Sequence, residues 1–212
     1  MAANLDQHSE DESALQRQFE KPRGWAGRII GWVMWVQNRA LNRAALSCLE
    51  IGPADDVLEI GCGPGKAIKL LTDTTSVRSV AGIDPSAEML EQAASINKDS
   101  ISAGRVVLKR ASVERLPFES GRFSRVFAVS TFHDWEDRHK GIVEIRRVLR
   151  KGGHLVLCLR RAPRFKFPWS SPGLTEEELQ RDMALLEGQG FQNVRLLSRR
   201  FRFRIACMLA ER

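Results

Sequence analysis

Between residues 56 and 160, short apolar runs alternate with segments of helical period. The runs predict strands at 56–60, 79–83, 106–109, 125–129 and 154–159. Between them, apolar residues recurring every three to four positions predict helices over 66–72, 86–101 and 136–149. Strand and helix in repeated alternation point to a parallel sheet with helices on both faces and right-handed crossovers. The boundaries carry their own signals. Ser86 follows Pro85 and can cap the second helix, and Asp134 with Asp137 can cap the third. Gly152-Gly153 closes the turn into the fifth strand, and Thr175 with Glu178 forms a capping box for a last helix ending near Gly188 and Gly190. After it, "NVRLL" and "FRFRIACML" read as two strands. In the second, Arg200, Arg202 and Arg204 alternate with Phe201, Phe203 and Ile205, one face wet and one buried. Upstream, 25–49 reads as helix, with Ile29, Trp32, Trp35 or Val36, and Ala40 near one stripe. Neither a repeat nor a linker interrupts 21–212, so one domain is expected there.

At 212 residues the chain can bury the core of one α/β domain, and 43% apolar with 28% charged residues is ordinary globular composition. Cys48, Cys62, Cys158 and Cys207 show no paired spacing, so neither a metal nor a disulfide framework is expected, and a cytoplasmic location fits. The first twenty residues are acidic and polar, unlike a signal peptide, and the apolar window 29–36 is too short to span a bilayer. Net charge is +7 but uneven. Residues 1–20 hold Asp6, Glu10, Asp11, Glu12 and Glu20 against Arg17 and read as a disordered acidic tail. The positive charge gathers in "EIRRVLRKGG" and "RLLSRRFRFRI". Such a surface can attract nucleic acid, anionic lipid or an acidic substrate, or can simply be a solvated face.

The chemistry concentrates in "EIGCGPGKA", residues 59–67, just past the first strand. Ligands of open α/β sheets bind beyond the carboxyl ends of the strands. Gly61, Gly63 and Gly65 can take positive φ there and let a ligand approach the backbone, while the next helix offers its free N–H groups. Asp84, in "GIDPS" at the end of the second strand, suits a grip on the two hydroxyls of a ribose. Separately, a structural turn and a strand-closing Asp would explain these features. Together, in this strand context, they indicate a nucleoside. Dinucleotides favour G-x-G-x-x-G, whereas here the third glycine comes one residue early and Pro64 stiffens the turn. Glu59 is also aimed at the site, a poor neighbour for pyrophosphate and a good one for an ammonium group.

"VLEIGCGPGKAIKLL" and "VAGIDPSAEMLEQA" resemble the first two motifs of the class I S-adenosylmethionine-dependent methyltransferases. "RASVERLPFESGRFSRVFAVSTFHDWED" is similar to the third and fourth, and "EIRRVLRKGGHLVLC" to the strand-five segment. The resemblance runs from about residue 55 to 160. It implies an α/β, Rossmann-like fold of seven mostly parallel strands in the order 3-2-1-4-5-7-6, strand 7 antiparallel. It also implies that residues 21–50 lid the pocket, and that the cofactor is S-adenosyl-L-methionine. On the matching positions, Glu59 and the loop Gly61, Cys62, Gly63, Pro64 and Gly65 would meet the methionine moiety and Asp84 the ribose. Pro85, Ser86 and Met89 would fall near the ribose and adenine. Ser112, Val113 and Glu114 would meet the adenine edge, where relatives often carry an Asp at the Ser112 position. Ser130 would face the cofactor.

Transfer from a sulfonium needs alignment above all, worth up to roughly 7–11 kcal/mol in well-oriented reactions. A base is required only for an acceptor that arrives protonated. His133 in "FHDWED" is the candidate, since an imidazole titrates near neutrality. Its string is similar to the catalytic segment of phenolic O-methyltransferases, although packing is an equally simple role. Asp134 reads as a helix cap and Trp135 as a pocket wall. "STFHDW" is not the Asn/Asp-Pro-Pro-aromatic string of nucleobase amino-methylation, which demotes nucleic acid as substrate. Trp32 and Trp35 could line an apolar acceptor site, rest on a membrane surface or pack on the sheet. The acceptor expected is small and apolar, a lipid or quinone-like ring, and no obligate protein partner is implied. An NAD(P)-dependent oxidoreductase and a non-catalytic cofactor-binding module are the alternatives.

Overall fold

Strand β1, Asp56–Ile60, is buried at all five positions, as the centre of a sheet covered on both faces requires. The structure, a computed structural model, describes residues 39–161, 173–200 and 204–212. The chain divides into two units, Met1–Ala40 and Leu41–Arg212. Residues 1–38, and with them the acidic tail, most of the expected lid and Trp32 and Trp35, lie outside the described residues.

The larger unit follows the expected alternation. Helix α1 is described over 39–49. After β1 come α2 (Lys66–Thr74), β2 (Ser79–Asp84), α3 (Ala87–Ile96), α4 (Lys98–Ser102) and β3 (Val106–Arg110). Then come β4 (Phe123–Val129), a short 3-10 turn (Phe132–Asp134), α5 (Arg138–Val148) and β5 (Leu149–Arg160). Helix α6 (Glu176–Gly188) precedes β6 (Gln192–Arg200) and β7 (Arg204–Glu211). The seven strands lie in the order β3-β2-β1-β4-β5-β7-β6. Strand β7 runs antiparallel to both β5 and β6, and the other pairs are parallel.

Period two sends alternate strand residues to opposite layers. Leu58, Ile60, Ala81, Ile83, Leu155 and Leu157 pack in one core with Ile142 and Ile145 of α5 and Leu179 and Leu186 of α6. On the other face, Cys158 Sγ lies 3.6 Å from the Leu41 carbonyl of α1. A Cβ at Gly82 would meet Ile68 of α2 at 2.6 Å. Helix α1 turns Leu41, Ala44, Ala45, Cys48 and Leu49 inward, and Arg125 donates to its last carbonyl, Leu49 O, at 2.8 Å.

Three boundaries differ from expectation. The helix expected over 86–101 breaks at Asn97, whose buried side chain is held elsewhere in the fold. Helix α5 starts at Arg138 because Asp137 is its cap, accepting from Lys140 N at 3.0 Å; Asp134 takes no part in it. Strand β5 begins at Leu149, before Gly152-Gly153 rather than after it. Phe123 pairs with Leu149 and Arg125 with His154, so the glycines form an irregularity inside the strand. Gly152 takes φ +69, its N–H donates to Arg212 O, and Arg212 N donates to Gly153 O. The caps at Ser86 and at Thr175 with Glu178 form as expected.

Candidate functional site

Beyond Ile60 the backbone swings across the tip of the sheet with Gly61, Gly63 and Gly65 at φ +66, +50 and +72. All three are in the left-handed region the sequence demanded of them. Cys62 N donates to Ile83 O at 2.9 Å, tying the loop to the end of β2. At Gly61 a Cβ would come within 2.6 Å of Thr131 Cγ2, so the close approach there excludes any side chain.

Asp84 organises this end of the sheet. Its Oδ2 accepts from Gly63 N at 2.8 Å and its Oδ1 from Ser86 N at 2.9 Å. One carboxylate thus fixes the glycine loop and the start of α3. Each oxygen accepts one of these bonds and keeps a lone pair for a further donor. Ser86 Oγ in turn accepts from Met89 N at 3.2 Å.

Two buried polar atoms beside the loop have no hydrogen-bond partner among the described residues: Glu59 Oε2 and Ser130 Oγ. Buried groups are almost always paired, so these two orphans at a strand tip are open to a further hydrogen-bond partner. Burial, then the neighbouring Asp84 carboxylate, pushes the Glu59 carboxyl well above its usual value, against the Ile68 amide. The same burial, followed by Glu59 and Asp84, raises the Cys62 thiol. Cys62 therefore stays protonated and is not a nucleophile. Ser130 sits at φ +55, a strained value for a side-chain-bearing residue, and its N–H donates to Cys158 O.

A cavity of about 350 Å³ opens over these tips. It is lined by Gly61, Asp84, Pro85, Ser112, Val113 and Glu114, expected from the sequence to bind the cofactor, and by Trp135, expected as a pocket wall. Ile60, Ile83, Ala111, Thr131, Asp134 and Glu136 complete the lining. Thr131 carries no motif, and only the β1–β4 pairing brings it over the loop, where its hydroxyl donates to Ile60 O at 3.3 Å. Asp134, expected as a cap, belongs to the wall instead. Trp135 stands edge-on to Phe132 with ring centroids 4.7 Å apart. A Cβ at Gly141 would strike its ring at 2.8 Å, so Trp135 is seated on α5. Glu59, Cys62, Gly63, Pro64, Gly65, Ser86, Met89 and Ser130 do not line the cavity. His133 does not line it either; its side chain is 48% exposed, with Nε2 3.4 Å from Asp134 Oδ1.

Among the described residues the charged members of the lining are Asp84, Glu114, Asp134 and Glu136, all acids, although the chain as a whole is basic. Acceptors without cations suit a ligand that brings hydroxyls and positive charge and repel a pyrophosphate. Residues 58–157 match the methyltransferase domain family. The chain belongs to the class I S-adenosylmethionine-dependent methyltransferases. This methyltransferase is 29% identical over 166 residues to YdaC of Bacillus subtilis strain 168, named an uncharacterized methyltransferase, a match covering 78% of this chain and 87% of YdaC. It is 33% identical over 121 residues to the ubiquinone/menaquinone biosynthesis C-methyltransferase UbiE of Geobacter sp. strain M21, covering 57% of this chain and 52% of UbiE. The chain thus spans about half the length of UbiE. A crystal structure of an S-adenosylmethionine-dependent methyltransferase from Aquifex aeolicus shares the fold, with a TM-score of 0.65 and 20% identity over 80% of this chain and 88% of that one. Membership of this methyltransferase family overturns the oxidoreductase alternative.

Proposed function

We propose that this methyltransferase uses S-adenosylmethionine to methylate a small apolar acceptor, a ring of quinol or phenol type, whose oxygen or ring carbon supplies the attacking electron pair. The observation that carries the cofactor half is the cavity over the tips of β1 and β2, whose lining among the described residues holds acids and no cation. Asp84, with a lone pair left on each oxygen, would take the ribose hydroxyls. Glu59 and the loop from Gly61 through Cys62, Gly63 and Pro64 to Gly65 would take the methionine end, where the orphaned Glu59 Oε2 suits an ammonium group. Ser112, Val113 and Glu114 would meet the base, with Pro85, Ser86 and Met89 at its flank and Ser130 offering its orphaned hydroxyl. When bound, the cofactor supplies a methyl group on a positively charged sulfur, which needs no further activation.

What this chain's residues add is alignment and exclusion of water. Trp135 closes one wall, and Trp32 and Trp35 belong to the acceptor side of this reading. The likeness to UbiE supports a quinone-like acceptor. His133, in the turn that carries Asp134 and Trp135, would accept the proton of a hydroxylated ring. The protein would then work in the cytoplasm on a small-molecule substrate, with neither nucleic acid nor an obligate protein partner, and touch a membrane surface through the tryptophans. No described helix is long and apolar enough to cross a membrane.

Transfer of labelled methyl from S-adenosylmethionine to a panel of phenols, quinones, amines and lipids tests the proposal. Labelled ring products are expected, with His133→Gln slowing transfer to phenols at least about tenfold. Label found only in amines, or in nothing, would overturn the acceptor assignment.

A further inference from the structure

We infer that side chains outside the cavity tune the two halves of the cofactor site separately, Asn97 acting on the methionine end and the Glu144–Arg147 pair on the adenine end. The inference rests on the cofactor reading above and goes beyond it, because none of the three residues lines the cavity.

The adenine side is the loop between β3 and β4. Ser112, Val113 and Glu114 lie on it between two fixed points. At the near end Ala111 N donates to Asp84 O at 3.3 Å. At the far end the backbone is gripped by α5. Glu144 Oε2 accepts from Leu116 N at 2.8 Å, Arg147 Nη2 donates to Leu116 O at 2.9 Å, and Arg147 Nη1 donates to Phe118 O at 2.7 Å. The two side chains also hold each other, Arg147 Nε to Glu144 Oε1 at 2.7 Å and Nη2 to Oε2 at 2.9 Å. The Arg147 side chain, with the Leu116 amide, outweighs burial and keeps the Glu144 carboxyl below its usual value. A planar fork that satisfies two backbone carbonyls of a loop, paired with a carboxylate that takes an amide of the same loop, fixes both its height and its tilt. A lysine, with one point charge on a flexible stem, cannot reproduce that. Glu114 adds a second tie to the wall, its Oε1 accepting from Asp137 N at 3.3 Å.

The methionine side has a different support. Asn97, 1% exposed at the break between α3 and α4, donates from Nδ2 to Gly65 O at 3.0 Å and to Ala93 O at 2.9 Å. A Cβ on Gly65 would lie 2.6 Å from that same nitrogen. The amide therefore both anchors the end of the glycine loop and limits how far it can move toward α3. Asn97 and Arg147 stand behind different walls and share no partner among these contacts, so their effects are separable. All three are positioning residues. A misplacement of about 1 Å can cost on the order of a hundredfold in reaction rate, and about tenfold in affinity is expected per support.

The test is calorimetric titration of full-length wild type, Arg147→Lys and Asn97→Ala with two probes, S-adenosylmethionine and 5′-methylthioadenosine, which lacks the amino-acid end. Arg147→Lys should weaken both probes equally, by about tenfold. Asn97→Ala should weaken S-adenosylmethionine by about tenfold and leave methylthioadenosine within about twofold. Glu144→Gln, which keeps an acceptor for Leu116 N, repeats the first pattern more weakly and serves if Arg147→Lys does not fold. General loosening of the fold would lower the thermal midpoint and shift both probes alike in every variant, and that result, or no change at all, would overturn the inference. Wild type that binds neither probe would overturn the cofactor reading, and this inference with it.

Discussion

At its amino end β1 opens with Asp56, whose carboxylate meets Arg78, Ser79 and, at 3.0 Å, Arg122. Near its carboxyl end the same strand places Glu59, equally buried, with one oxygen unpartnered among the described residues. The neighbours repeat the contrast. Asp55 lies 3.6 Å from Arg125 and 3.7 Å from Arg150 and accepts from Gly52 N, whereas among the described residues Asp84 accepts from the backbone N–H groups of Gly63 and Ser86. Burial raises Asp55, but the Gly52 amide, the Ser124 hydroxyl and the two arginines outweigh it and hold the carboxyl below its usual value; burial and Asp84 drive Glu59 the other way. Arginine neutralises the lower carboxylates for good. The upper ones keep lone pairs, and Glu59 keeps an unfavourable burial that a cationic ligand would relieve. One end of the sheet holds the fold together and the other carries the candidate site, where the rule for ligands at strand carboxyl ends expects one.

Substitutions at the two ends should therefore separate stability from binding. The largest effect belongs to the lower end. Asp56→Ala strips two half-exposed arginines of a buried partner and should cost about 2–3 kcal/mol, somewhat less than a fully buried pair. Urea denaturation would read that loss, and S-adenosylmethionine affinity of the folded fraction should not change. Next comes Gly61→Ala, whose Cβ would meet Thr131 at 2.6 Å on a backbone at φ +66. It should lower cofactor affinity about tenfold or more by titration, with about 1–2 kcal/mol lost in stability. The smallest effect, and the sharpest on the comparison, is the pH dependence of Glu59→Gln. A carboxyl raised in the folded state contributes stability that is complete below its unfolded value, near 4.5, and is lost as pH rises through the folded value. The glutamine variant should match wild type near pH 4.5 and exceed it at pH 8 in urea midpoint without cofactor. Equal differences at both pH values would contradict an uncompensated Glu59.

The sheet was legible because its signals are local: apolar runs, caps and the glycine loop each sit within a few residues. Asp84 was legible for the same reason, standing at the tip of a readable strand. What could not be read depends on partners distant in the chain. Asn97 lies inside a continuous amphipathic pattern, and only the Gly65 carbonyl, from another layer, explains why the helix breaks there. Gly152-Gly153 looks like a turn until the last residue of the chain, Arg212, pairs with both glycines. Thr131, Asp134 and Glu136 reach the cavity through strand order and through the buried anchor Phe132, which orients the turn that follows β4. That anchoring leaves His133 half-exposed while Asp134 and Trp135 join the wall.

Calorimetric titration of S-adenosylmethionine into wild type and Asp84→Asn, side by side, reaches the centre of this account. Micromolar binding by wild type, reduced at least about a hundredfold in Asp84→Asn, is the expected result, since the amide loses charge-assisted bonds to both the loop and the ribose. Wild-type binding that survives unchanged in Asp84→Asn, or no binding by wild type, would contradict a cofactor site at the tips of β1 and β2.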